Sequence, residues 1–165
     1  MPDNFSTGIN FDSQSSVKKA AEKAVKTTVK TTALRLLPGA DVRRELENLA
    51  KLEQISAAVI LGAVGSLSQT NLRFAGQDEH TALAGKQEIL TLSGMLSVAG
   101  VHLHMSVSNA QGECRGGHVV YGCLVYTTLE IAIALIPHLE FQRTFDAATG
   151  FKELKIVPNN SFPES

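Results

Sequence analysis

The chain has 165 residues, 44% of them hydrophobic and 19% charged, with a formal net charge of −1. That is enough chain for one globular domain burying about two thirds of its unfolded surface. The near-neutral balance lacks the basic footprint of an electrostatic nucleic-acid binder, and the apolar runs are too short for a membrane span. No basic start followed by an apolar core opens the chain, so the expected location is cytoplasmic.

Residues 1–28 read as a flexible polar segment, lysine-bearing from Lys18, with a short helix expected over 16–25. Those lysines make either a solvated face or an arm that touches phosphates. The folded domain is expected over 29–158 and a short tail over 159–165. A strand at 31–37 ends at Leu36-Leu37-Pro38-Gly39-Ala40-Asp41, where Asp41 is a candidate N-cap. The following periodicity predicts a helix over 42–54, burying Val42, Leu46, Leu49 and Ile55 and pairing Glu47 with Lys51 on its outer side.

From Ile55 the period changes to two. Strands are expected at 55–64 and 66–74, joined at Gly65, then a loop over 75–85 and a strand at 87–96 stopping near Gly94. Strands at 101–109 and 113–120 turn over Asn109-Ala110-Gln111-Gly112. A further strand runs through 125–133, and 140–145 with 151–157 form a last hairpin with Gly150 in its turn. One helix among hairpin-spaced strands predicts an α+β domain with a largely antiparallel sheet.

The sharpest chemistry lies in Val101–Leu124, which holds three of the five histidines. Strand alternation puts His102 and His104 on one face, and His118, after Gly116-Gly117, lies on the returning strand. Three imidazoles and a water suit a divalent metal, zinc in first place. Glu88 or Glu130 is the candidate fourth ligand, orienting group or base. The competing reading is a set of histidines satisfied by neighbours or exposed. A two-residue tip at Ala110-Gln111 would pair Asn109 with Gly112 and send His118 to the wrong face. Convergence then requires a one-residue bulge at Gly116-Gly117, or a third ligand from a neighbouring subunit. His80 and His138 read as surface residues, and Cys114 and Cys123 as reduced, buried small hydrophobes. No serine nucleophile elbow is present, and Gly62-Ala63-Val64-Gly65 lacks the Lys-Ser/Thr of a phosphate loop.

The motifs Arg35-Leu36-Leu37-Pro38-Gly39-Ala40-Asp41, Gly85-Lys86-Gln87-Glu88-Ile89-Leu90-Thr91-Leu92-Ser93-Gly94 and His102-Leu103-His104 occur in order. Gly116-Gly117-His118, Gly122-Cys123 through Glu130, and Thr149-Gly150-Phe151-Lys152-Glu153-Leu154 follow. Over about residues 30–157 the chain resembles the plant and prokaryote conserved (PPC) domain, the domain joined to AT-hooks in plant nuclear proteins and standing alone in many bacteria. The resemblance implies a strongly bent, largely antiparallel sheet of six or seven strands, one main flanking helix, homotrimeric assembly, and a DNA-associated or transcription-related role. It also implies metal binding by these histidines. Gln87 stands where the family often has an aromatic, and the Arg-Gly-Arg-Pro core of an AT-hook is absent. The expected function is an oligomeric binding module acting through protein partners or, weakly, through DNA. Its divalent metal sits at His102, His104 and His118, with Glu88, Glu130 and Arg35 as supporting or interface residues. The alternative is a metal-dependent enzyme or small-ligand binder using the same histidines.

Overall fold

Alternating apolar side chains give most strands one buried face, and those faces close around a single main core. The computed structural model describes residues 29–161, so the helix expected over 16–25 lies outside them. The elements are β1 (Lys30–Leu36), α1 (Val42–Leu52), β2 (Ala58–Arg73), β3 (Thr81–Leu83) and β4 (Gln87–Ser97). They continue with β5 (Gly100–Ser108), β6 (Cys114–Val119), β7 (Leu124–Leu135), β8 (Leu139–Phe145) and β9 (Lys152–Pro158).

Strands β1 to β7 form one antiparallel sheet in the order β1-β7-β2-β4-β5-β6, with β3 on β2. The first half of β2 pairs with β4, while Leu72 and Arg73 at its far end pair with Val119 and His118 of β6. The circuit β2-β4-β5-β6 therefore closes on itself, which is the strong bend expected. Inside it lie Leu67, Leu72, Leu96, Leu103 and Val119, all shielded from solvent.

Helix α1 is the one helix among the described residues, and it covers the core with Val42, Leu46 and Ala50. Asp41 caps it as expected, accepting from the Arg44 amide at 3.1 Å. It ends two residues earlier than expected: Glu53 closes the C-terminus and Gln54 turns to φ 50°. The expected Glu47–Lys51 pair does not form, because Arg43 (2.9 Å) and the Tyr121 hydroxyl (2.7 Å) take both oxygens of Glu47.

Two glycines read as strand ends lie inside strands. β2 runs unbroken through Gly65, where any Cβ would land on the Thr128 carbonyl oxygen of β7. β4 likewise passes Gly94, where a Cβ would meet the His102 carbonyl. Glycine serves close backbone approach at both places. The short β3 was not foreseen in the 75–85 loop. Strands β8 and β9 make a separate hairpin with Gly150 at φ 76° in its turn, tethered where the Ser97 hydroxyl donates to the Phe141 carbonyl (2.8 Å). Both cysteines are free thiols; Cys123 is buried, but Cys114 is exposed, contrary to expectation. No helix among the described residues is long and apolar enough to cross a membrane.

Candidate metal centre

The turn between β5 and β6 sets the parity of the site. Ser108 pairs with Cys114, and the Asn109 amide donates to the Glu113 carbonyl, so three residues, Ala110, Gln111 and Gly112, form the tip. Gly112 takes φ 77°, the left-handed conformation that a three-residue hairpin loop requires. The extra tip residue shifts the pairing by one and sets His118 directly opposite His104. The bulge expected at Gly116-Gly117 is absent from the ladder, which runs regularly from Ser108 to His104. Convergence comes from the turn, and one subunit supplies all three rings.

Directly opposed antiparallel residues have Cβ atoms about 5 Å apart, and His102 adds a third ring from the next outward position of β5. Ring centroids are 5.0 Å (102–104), 5.2 Å (102–118) and 5.5 Å (104–118) apart. One nitrogen from each ring lies within 4.8 Å of the others. Ligand nitrogens on a tetrahedral ion stand about 3.3 Å apart, so small rotations of His102 and His104, both exposed, complete the set.

The protonation of His118 and His102 suits a metal. Burial lowers the pKa of His118 to about 4, assisted by His102, Arg43, Arg73 and His104. Burial also lowers that of His102, with help from Arg143. Neutral imidazole is the form that ligates. Among the described residues neither nitrogen of His118 is committed elsewhere: Nδ1 is buried with no hydrogen-bond partner, and Nε2 has only a long 3.4 Å contact to Arg43 Nη1. An uncommitted buried nitrogen beside two further imidazoles fits a bound cation.

The carboxylates expected to help do not reach this point. Glu88 pairs with Ser108, about 13 Å along β5 from His104. Glu130 lies on β7 opposite Arg35 of β1, on another part of the sheet. His80 is exposed as expected, while His138 is only partly so and takes part in contacts.

Cations that sequence reasoning passed over stand there instead. Arg43 reaches from α1 to the Val119 carbonyl (3.0 Å). Arg73 is the register partner of His118, and Arg143, Lys152 and Glu153 line the adjoining cleft. One signal was available: a basic residue in a helix's first turn opposes the helix dipole and implies that its charge is used elsewhere.

Known proteins share this arrangement of strands. The chain is 49% identical over 131 residues to the bifunctional protein GlmU of a Synechococcus strain, matching 79% of this chain but 21% of that protein. It thus spans about a fifth of the length of the curated relatives it matches. A solved structure from Salmonella enterica is 42% identical, with TM-score 0.79 over 81% of this chain and 97% of that one. A metal-containing protein from Archaeoglobus fulgidus is 27% identical, with TM-score 0.70 over 81% of this chain and 99% of its own. The model of the Plants and Prokaryotes Conserved domain matches residues 23–137, and with most of its length so covered the chain belongs to that family.

Proposed function

We propose that this protein is an oligomeric binding module built around a divalent metal, zinc in first place, held by His102, His104 and His118. The observation that carries this reading is the His104–His118 register, with one nitrogen from each of three rings inside 4.8 Å. The description of the Archaeoglobus relative as metal-containing supports it. Each ring has its own part: His102 and His104 form the open rim, and His118 forms the half-buried floor. Arg43 contacts both His118 and the β6 carbonyl beside it, fixing that ring's surroundings. When bound, such an ion supplies a Lewis-acidic position open to a further ligand.

The module works as a homotrimer, and the outward face of β1-β7-β2 is its contact surface. There Ala33, Ala132 and Gly62 lie in one cross-strand row and Arg35, Glu130 and Val64 in the next. Small side chains make a face that a second copy can approach closely, and Val64 is 62% exposed on it. Arg35 and Glu130 give it one opposed pair of charges. The module acts through protein partners, and any DNA association is weak, since a net charge of −1 leaves few phosphate contacts to drive it.

Metal content and molar mass measured on one sample of purified protein test both parts. About one ion per chain is expected, with a mass three times that of the chain, and His102→Ala and His118→Ala proteins should each lose the ion. Metal retained by both variants defeats the site. An A·T-rich duplex that shifts at micromolar protein and physiological salt would instead make DNA a direct ligand. The arginine-lined cleft beside the histidines favours a second reading, a small-ligand binder or metal-dependent enzyme.

A further inference from the structure

The cleft against His102 and His118 holds about 470 Å3 and is lined by Arg43, Arg73, Arg143 and Lys152, with Glu153 as its one acid. These cations come from α1, the end of β2, the middle of β8 and the start of β9, so the fold gathers them from four elements. Their charges are not equally compensated. Among the described residues the one arginine ion pair is Arg43–Glu47. Among the described residues the Arg73 side chain donates only to the Gln77 carbonyl (3.2 Å), and the Arg143 side chain has no hydrogen-bond or carboxylate partner.

This surplus matters because imidazoles are neutral ligands. A divalent ion held by three of them keeps its full double charge, and no carboxylate stands in the group to reduce it. Placed at a cleft whose Arg73 and Arg143 lack a carboxylate partner among the described residues, the ion is opposed by like charge. One kind of ligand relieves both sides at once. We propose that the cleft takes a small oxyanion, a carboxylate or phosphate group. One of its oxygens fills the open position of the histidine-bound ion, and the others accept from Arg143 and Arg73. The proposal rests on the metal reading above. Guanidinium offers a planar fork of donors matched to such groups, and forked contacts hold an oxyanion from the side away from the ion. The volume leaves room for an organic substituent beyond the anionic end.

The consequence is coupling. The anion cancels the repulsion between ion and arginines, so each strengthens the binding of the other by the same factor. Chelator-treated protein would be titrated with cobalt(II) at constant ionic strength, following the visible bands of the bound ion. The titration is run alone, with acetate, and with inorganic phosphate. At least one anion should change the spectrum and tighten cobalt binding about tenfold, the usual scale of such coupling. The anion with the larger factor identifies the class. Arg143→Gln and Arg73→Gln proteins should bind cobalt at least as tightly without anion, and lose most of the coupling. Cobalt bound by the histidines with no response to either anion at about 10 mM, far above weak-site affinities, overturns this inference alone. So does undiminished coupling in both arginine variants. Failure to bind cobalt, or equal binding by His118→Ala, overturns the metal reading and this one with it.

Discussion

Two outward faces of one sheet have opposite characters here. Around β5 and β6 the surface is made of imidazoles, with guanidinium groups at its edge and no carboxylate among the converging ligands. Across β1-β7-β2 it is made of Ala33, Gly62, Ala132 and Val64, broken by the opposed pair Arg35 and Glu130. A single strand, β2, serves both: Val64 stands on the smooth face, and Arg73, nine residues later, stands beside His118. Measured along the strand, those positions are separated by about 30 Å of chain. A continuous strand thus carries two unlike surfaces that share no residue, so substitutions on each should act independently.

The largest effects should split along that line. His118→Ala should cut bound zinc about tenfold or more, since two imidazoles and water hold it far less well than three, while the assembly keeps its mass by light scattering. Val64→Asp should do the reverse: on the proposed trimer it would bury an unpaired charge at the contact and yield monomer, with the metal still bound. If either variant loses both properties, the two faces are one functional unit and the comparison is broken.

Glycines sharpen the contrast at the next level. Gly94→Ala would drive a methyl group into the His102 carbonyl, beneath the histidines. It should cost about 3 kcal/mol, or roughly 10 °C in thermal unfolding, and weaken metal binding with the fold. Gly62 has open space where a Cβ would stand. Gly62→Ala should therefore leave monomer stability within about 0.5 kcal/mol, so any weakening of assembly reports on the contact alone.

Acid should reach the histidine face selectively. His118 sits at about 4 in the folded chain against an ordinary 6.5, because burial penalises its charged form. Between those values the unfolded chain holds a proton that the folded chain refuses, so stability rises with pH across this window and falls on acidification. Above 6.5 the ring contributes no slope. In metal-free protein unfolding midpoints should drop from pH 6.5 toward 4, and His118→Gln should flatten that drop. An unchanged slope in His118→Gln would place the acid sensitivity elsewhere.

The strands and the Asp41 cap were legible because period and capping chemistry are local. The histidine trio was legible in composition but not in register, since one tip residue decides the parity of the whole β6 strand. Gly112 was the clue: a left-handed glycine closing the turn marks a three-residue loop. Gly65 and Gly94 misled for the opposite reason, because a glycine that permits backbone approach looks identical in sequence to one that ends a strand. Arg43, Arg73 and Arg143 were invisible as a group. Their meeting depends on β6 returning to β2 and on where β8 docks, contacts separated by tens of residues.

The smallest effect tests whether α1 belongs to the histidine face. Asp41 does two jobs: one carboxylate oxygen accepts from the Arg44 amide at 3.1 Å, and the other from the Gly122 amide at 2.6 Å. Asp41→Ala loses both acceptors and should cost about 1–2 kcal/mol, the upper range for a cap. Asp41→Asn keeps one acceptor oxygen and should cost less. The first turn of α1 carries Arg43, whose guanidinium touches His118 and the Val119 carbonyl. Fraying that turn should therefore change metal affinity by a few-fold while leaving the molar mass in solution untouched. Thermal unfolding, a zinc titration and light scattering on the same two variants decide it. If affinity holds constant while stability falls, Arg43 is a brace for the helix and has no part in the site.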